Sequence, residues 1–194
     1  MADAKERQFF ELDIDVYVPG RWYFKTPTQL DGQRLDDPWV FTLGEPIPDP
    51  GPLLIPLSRP GSPLDFTSAG VGFTPILSAR TADVFRAEAS RDVQLFPVQV
   101  EGQHEPYFLL VATRTVRCVD EVASEEVQFW RPEDGQPEKV GGYKYVVGLR
   151  IDKTRVADER VFRPWGFRSA LIVDGQLKAA LEQTGIVGGQ FVEV

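Results

Sequence analysis

Val93-Gln-Leu-Phe-Pro-Val-Gln-Val100 and Tyr107-Phe-Leu-Leu-Val-Ala-Thr113 stand on either side of the polar interval Glu101-Gly-Gln-His-Glu-Pro106. Two apolar runs rich in β-branched and aromatic residues, joined by a glycine-containing turn, make an antiparallel hairpin. Pro97 has no N–H to give a ladder, so the first strand is expected to bend or to run along an edge there. Just before the hairpin, Ser78 is a candidate N-cap for a helix over Ala79–Ala89. Leu77, Val84, Phe85 and Ala89 lie near one face of that helix.

Strands continue after the hairpin. Thr115-Val-Arg-Cys-Val119 extends or follows it. Glu126-Val-Gln-Phe-Trp130 and Tyr143-Lys-Tyr-Val-Val-Gly-Leu-Arg-Ile151 flank the turn-rich Arg131-Pro-Glu-Asp-Gly-Gln-Pro137. Arg163-Pro-Trp-Gly-Phe-Arg168 reads as a structural turn, with Trp165 and Phe167 pointing to opposite sides. Ala170-Leu-Ile-Val173 is a short strand. Asp174 can cap a helix over Gly175–Thr184, and Gly185 is its natural C-terminal glycine. Gln190-Phe-Val-Glu-Val194 ends the chain as a strand.

The N-terminal side is different in kind. Eleven of the 16 prolines fall in residues 1–77, seven of them between Pro46 and Pro63. Gly44-Glu-Pro-Ile-Pro-Asp-Pro-Gly-Pro52 is therefore an extended loop. Leu12-Asp-Ile-Asp-Val-Tyr-Val18 alternates like a half-buried strand, Arg21–Lys25 begins a second, and Leu53-Leu-Ile-Pro-Leu57 is a third with an edge-type proline. The fold class is α+β: a largely antiparallel sheet with two helices. Residues 1–74 form a proline-rich strand and loop region, and residues 75–194 the regular α+β region. The first has too few periodic apolar positions for a core of its own, so the two are expected to pack as one composite domain.

Composition narrows the function. The chain has 194 residues, 21 Lys and Arg against 29 Asp and Glu, and a net charge of -8. Such a protein does not attract nucleic-acid phosphates or an anionic membrane surface, and a partner chosen by charge is basic. One His (His104) and one Cys (Cys118) exclude a Cys/His-rich zinc site and an intrachain disulfide, and fit a reducing compartment. His104 lies in the polar turn, away from any triad pattern. No phosphate-binding loop, nucleophile elbow or EF-hand spacing is present, and Gly70-Val-Gly72 only opens a dinucleotide fingerprint that Pro75 breaks. No catalytic, metal or cofactor site is expected. The polar opening Met1-Ala-Asp-Ala-Lys-Glu-Arg-Gln8 has no apolar stretch of a signal peptide, and no run is long enough to span a bilayer; the expected location is the cytoplasm.

From Pro75 onward an ordered series resembles a family of bacterial immunity proteins of polymorphic toxin systems, formerly a domain of unknown function. The series is Pro75-Ile-Leu-Ser78 before a helix, Asp92-Val-Gln-Leu-Phe-Pro-Val98, Tyr107-Phe-Leu-Leu-Val111, Val116-Arg-Cys-Val-Asp120 with Ser124-Glu125, Leu149-Arg-Ile-Asp152, Val161-Phe-Arg163, Gly166-Phe167 and the closing strand–helix–strand from Leu171. The resemblance implies a non-catalytic protein that binds a cognate toxin and blocks it sterically. A self-associating structural module and a small carboxylate-dependent enzyme are the alternatives. An acidic inhibitor suits a basic toxin. Acid pairs beside a tryptophan would supply steering and an anchor. Three segments carry them: Asp36 and Asp37 with Trp39, Glu125 and Glu126 with Trp130, and Glu133 and Asp134 in the following turn.

Overall fold

A computed structural model describes residues 7–70 and 73–194. What the sequence analysis reads from residues 1–6 and from Val71 and Gly72 lies outside them. Among the described residues three sheets and two α-helices are formed. The largest sheet runs, in spatial order, β3 (Thr28–Gln29), β4 (Leu53–Ile55), β8 (Val93–Val100), β9 (Tyr107–Ala112), β7 (Thr74–Ser78), β6 (Phe66–Ala69), β2 (Tyr23–Phe24) and β5 (Leu57–Arg59). The second runs β10 (Thr115–Val116), β13 (Val161–Pro164), β14 (Ile172–Asp174), β1 (Phe9–Ile14) and β15 (Gly189–Glu193). The third has only β11 (Glu126–Phe129) and β12 (Tyr143–Val147). The helices are α1 (Ala79–Ala89) and α2 (Gly175–Gln183). Most pairings are antiparallel; β2–β6, β4–β8 and β10–β13 are parallel. The α+β, sheet-dominated class holds.

Both large sheets are covered on two faces, which explains the long apolar runs. Along β9, Leu110 and Ala112 join a core with Phe85 of α1 and Leu177 and Leu181 of α2. Their neighbours Tyr107, Leu109 and Val111 join a second core with Trp22, Phe41 and Ile55. Along the β14 segment, Leu171 and Val173 face the helices while Ala170 and Ile172 face a third core with Phe9, Cys118, Leu149 and Phe162. Strand β1 divides likewise. Phe10, Leu12 and Ile14 face the helices, Phe9 faces the third core, and Glu11 shares the Phe9 side.

The expected hairpin is formed, with a register running from Val93↔Ala112 to Val98↔Tyr107. Its proline is placed by the partner on the other side: of β8, β4 reaches only Val98–Val100. Pro97 therefore sits just past the end of β4, where a missing donor costs nothing in the ladder. Pro56 works in a similar way, splitting Leu53–Leu57 into β4 and the start of β5. Asp174 caps α2 through Oδ1, which accepts from the Leu177 N–H at 2.8 Å. Gly185 takes the left-handed conformation beyond that helix, with φ +64°.

Several readings are corrected. Ser78 sits at the N-cap of α1 but makes no side-chain cap, because its hydroxyl is drawn to Asp65 Oδ1 at 2.8 Å. Pro75-Ile-Leu-Ser78 leads directly into α1 and is itself the body of β7, a strand the pattern does not announce, and β6, rich in Thr and Ser, is an unread strand beside it. Strand β1 begins three residues before Leu12 and ends at Ile14, since Asp15 turns the chain. Val192 is half exposed, opposite Glu11 on the edge strand. Trp22 is fully buried in the second core.

Candidate functional site

Strands β11 and β12 project as a two-stranded arm that joins neither large sheet. Its register runs from Glu126↔Val147 to Phe129↔Tyr143 with an irregularity at Gln128 and Phe129. One side of the arm is anchored: Tyr143 and Val146 pack against the third core, and the Tyr143 N–H donates to the Gly166 carbonyl at 3.1 Å. Gly166, at φ +75°, makes the tight turn read from the sequence, and a Cβ there would lie 3.1 Å from the Tyr143 ring. Phe129 stacks 5.0 Å from Tyr143 and stays partly exposed. The interval between the strands folds into two 3-10 turns, Pro132–Asp134 and Pro137–Lys139, each opened by its proline.

Four of the eight predicted contact residues meet on this arm beyond its base. Glu126 is exposed and accepts from the Tyr145 hydroxyl at 2.5 Å and from Gln128 Nε2 at 3.3 Å. Trp130 is half-buried, with Lys139 and Lys144 Nζ at 5.0 and 5.2 Å from its ring. Glu133 is exposed and lies 3.7 Å from Arg131. Asp134 serves the arm itself. It accepts from Lys144 Nζ at 2.5 Å and from the Arg131 N–H at 2.9 Å, and the Lys144 hydrogen bond leads in holding its carboxyl below the usual range. Glu125, the fifth, sits at the base of the arm against Gly148. Between residues 125 and 147 five acids meet three bases, so the arm is a mixed-charge surface with an acidic excess.

Asp36, Asp37 and Trp39 lie apart from the arm, at the entry to the 3-10 turn Pro38–Thr42 that packs on β9. Asp37 caps that turn, accepting from the Trp39 N–H at 2.9 Å. Trp39 is exposed, whereas Phe41 and Thr42 of the same turn are buried. The turn thus anchors through Phe41 and presents Trp39 outward. Trp165 is partly exposed under Arg117, whose guanidinium lies 3.5 Å from the ring centroid.

A cleft of about 300 Å³ joins the arm to the edge strand β15. Glu11, Glu125, Val146, Arg150, Phe167 and Val192 contribute to its lining. The alternating pattern that starts at Leu12 leaves Glu11 outside the strand it announces. Burial, then the charge of Asp13, raises its carboxyl to about 7. Among the described residues no hydrogen bond or ion pair reaches it. Arg150 also contributes to the lining, with Nη1 donating to the Glu193 carbonyl at 2.5 Å.

The remaining chemistry-bearing groups are structural. Asp65 ties Arg80, Ser78 and the Val187 N–H together, and Asp92 accepts from the Arg160 N–H at 2.7 Å. Cys118 is buried, and that burial lifts its thiol to about 12, far from a thiolate nucleophile. His104 is exposed in the hairpin turn. Among the described residues no group of three or more His, Cys, Asp or Glu could hold a metal ion. No helix of these residues is long and apolar enough to cross a membrane.

No curated protein is significantly similar to the chain. A family model does match it: residues 36–194 fit the Immunity protein family (Imm11).

Proposed function

The chain belongs to the Imm11 immunity protein family, and on that premise we propose that it binds a cognate protein toxin and blocks it sterically, without catalysis or cofactor. The arm carries this reading. It is a rigidly based ribbon outside both large sheets, and it offers Phe129 and Trp130 beside Glu126 and Glu133. A partly exposed aromatic next to acids suits a desolvated anchor within a charged rim. The Asp36–Trp39 turn is a second contact of the same type. Glu125 belongs with the arm, and Asp134 contributes by holding its turn in shape. A basic toxin fits the net charge of -8, and the protein acts in the compartment where that toxin would act, the cytoplasm. Residues 1–74 and 75–194 work as one composite domain in this reading, since β1 and β4 enter sheets formed with later strands.

Association kinetics with the toxin domain encoded by the neighbouring open reading frame test it. Lysine at positions 36, 37 and 133 together should slow association at least tenfold at low salt and flatten its salt dependence. Trp130→Ala should speed dissociation about tenfold or more. Unchanged kinetics in both folded variants would remove these contacts from the interface.

A further inference from the structure

Strand β15 ends the five-stranded sheet. The pairing Val194 N–H to Phe9 carbonyl and Asp15 N–H to Gly188 carbonyl fixes which of its groups face β1. In an antiparallel ladder these bonded residues alternate with residues whose N–H and C=O face away. The register places Val192 and Gln190 among the former. Phe191 and Glu193 therefore direct their main-chain groups outward, and among the described residues only the Glu193 carbonyl of these is hydrogen-bonded, by Arg150. No strand covers this edge among the described residues.

The surroundings of the edge are not neutral. On the face shared with Phe9, the cleft opens beside Val192, and the charged residues contributing to its lining are Glu11, Glu125 and Glu193 against Arg150, whose Nη1 is engaged by the Glu193 carbonyl. Glu11 lies directly across the ladder from Val192. A strand added outside β15 would run about 5 Å beyond it and about 10 Å from β1. That gap suits a Lys or Arg side chain reaching over Val192 to the Glu11 carboxylate. The cleft is also continuous with the arm through Glu125 and Val146, so a partner seated on the arm reaches the edge without a break.

We propose that the β15 edge receives an extended, basic segment of the toxin as an added strand, with one cationic side chain of that segment entering the cleft to pair with Glu11. This rests on the immunity reading and names the contact by which the partner is held. Main-chain bonds to an open edge give affinity, and a side-chain pocket gives specificity. Because burial raises the Glu11 carboxyl to about 7, an arriving cation displaces a proton there. The charged groups near Glu11 are Asp13 on its own strand, Glu125 and Arg150 at the arm base, and Glu193 on β15. On the facing strands its ladder partners are Ile172 and Val192, neither of them charged.

Two substitutions test the proposal with the full-length protein and the toxin domain encoded by the neighbouring open reading frame. Glu193→Pro removes an outward N–H and no bond to β1, while Glu193→Gln keeps that N–H. Binding should weaken at least tenfold in the proline variant and less than twofold in the glutamine variant. Glu11→Gln should weaken binding about tenfold at pH 8, and its affinity should converge with that of the parent toward about pH 5.5, where Glu11 is protonated in the free protein. Parent-like affinity at pH 8 in folded Glu193→Pro or Glu11→Gln overturns the proposal. So does a parent dimer in sedimentation that Glu193→Pro dissolves, which would give the edge to a second copy. A parent protein that neither binds this toxin domain nor protects cells from it defeats the immunity reading itself, a result distinct from normal binding by unaffected variants.

Discussion

Asp65 and Asp92 in the packed body differ from Glu126 and Glu133 in the arm, although all four stand at or near strand ends. The body acids are buried and accept several hydrogen bonds: Asp65 from Arg80, Ser78 and the Val187 N–H, Asp92 from Arg160 and Arg114. They join segments far apart in sequence, as Asp65 does with Val187. The arm acids are exposed and answer mostly to residues of the arm itself. A net charge of -8 thus contains two populations. One holds the fold together; the other is free to act on a partner. Tryptophans divide along the same line, with Trp22 fully buried and Trp39 and Trp130 at the surface or half-buried.

Removing the last nine residues would break the comparison most severely. Strand β15 makes five ladder pairings with β1, and Phe191 packs on the helix-side core. A chain ending at Gly185 should expose β1 as an open edge and aggregate. Soluble, monomeric, equally heat-resistant truncated protein would place the body's limit elsewhere.

Trp22→Ala and Trp130→Ala sharpen it. The first empties the centre of the second core, where the ring touches Phe24 and Tyr107, and should cost about 3–5 kcal/mol in denaturant unfolding. The second should cost less than about 1 kcal/mol, because its ring is half in solvent. Equal costs would mean that the arm is as much core as the body.

Asp65→Asn comes next. Burial raises the Asp65 carboxyl, but the bonds from Arg80, Ser78 and the Val187 N–H, with the charge of Arg80, outweigh it and hold it below the usual range. Its folded value lies below its unfolded one. Its stabilisation is therefore complete above the unfolded pKa and fades as pH falls through the folded one. The substitution should cost on the order of 2 kcal/mol at pH 7 and progressively less below about pH 4. A penalty independent of pH would show that shape, not charge, matters there.

Glu11→Gln has the opposite sign. A folded value of about 7 stands above the ordinary 4.5, so the folded state holds the proton more tightly. Stability is greatest below the unfolded pKa and falls as pH rises through the folded one. The glutamine variant should be more stable than the parent at pH 8, by on the order of 2 kcal/mol in denaturant unfolding, and match it near pH 4. A destabilised variant at pH 8 would mean that the ionised Glu11 has a partner.

Much of this was legible because periodicity reports burial. Leu110 and Leu109 read as strand whichever core they enter, and Asp174 and Gly185 bound α2 by local chemistry alone. What stayed hidden depends on pairing across the chain. Strand β13 carries Arg163 and Pro164, residues that argue against an interior strand. The fold buries Arg163 whole, with Nη1 donating to the Arg168, Ser169 and Ala170 carbonyls and its pKa lowered to about 10 by burial. No local pattern announces that. Glu11 was invisible for the same reason, since its burial comes from β14 and β15, over 150 residues away. Of the candidate contact residues, the acids of the arm and Trp130 are legible as neighbours in the sequence. Their gathering on one ribbon needed the β11–β12 pairing, and the loss of Asp134 to Lys144 needed side-chain geometry.

Backbone hydrogen exchange of the full-length protein, alone and with the toxin domain encoded by the neighbouring open reading frame, tests the central claim most directly. Binding through the arm predicts slowed exchange across residues 126–147, with helix α1 unchanged. Exchange slowed only in the proline-rich loop of residues 46–63, or nowhere, would contradict it.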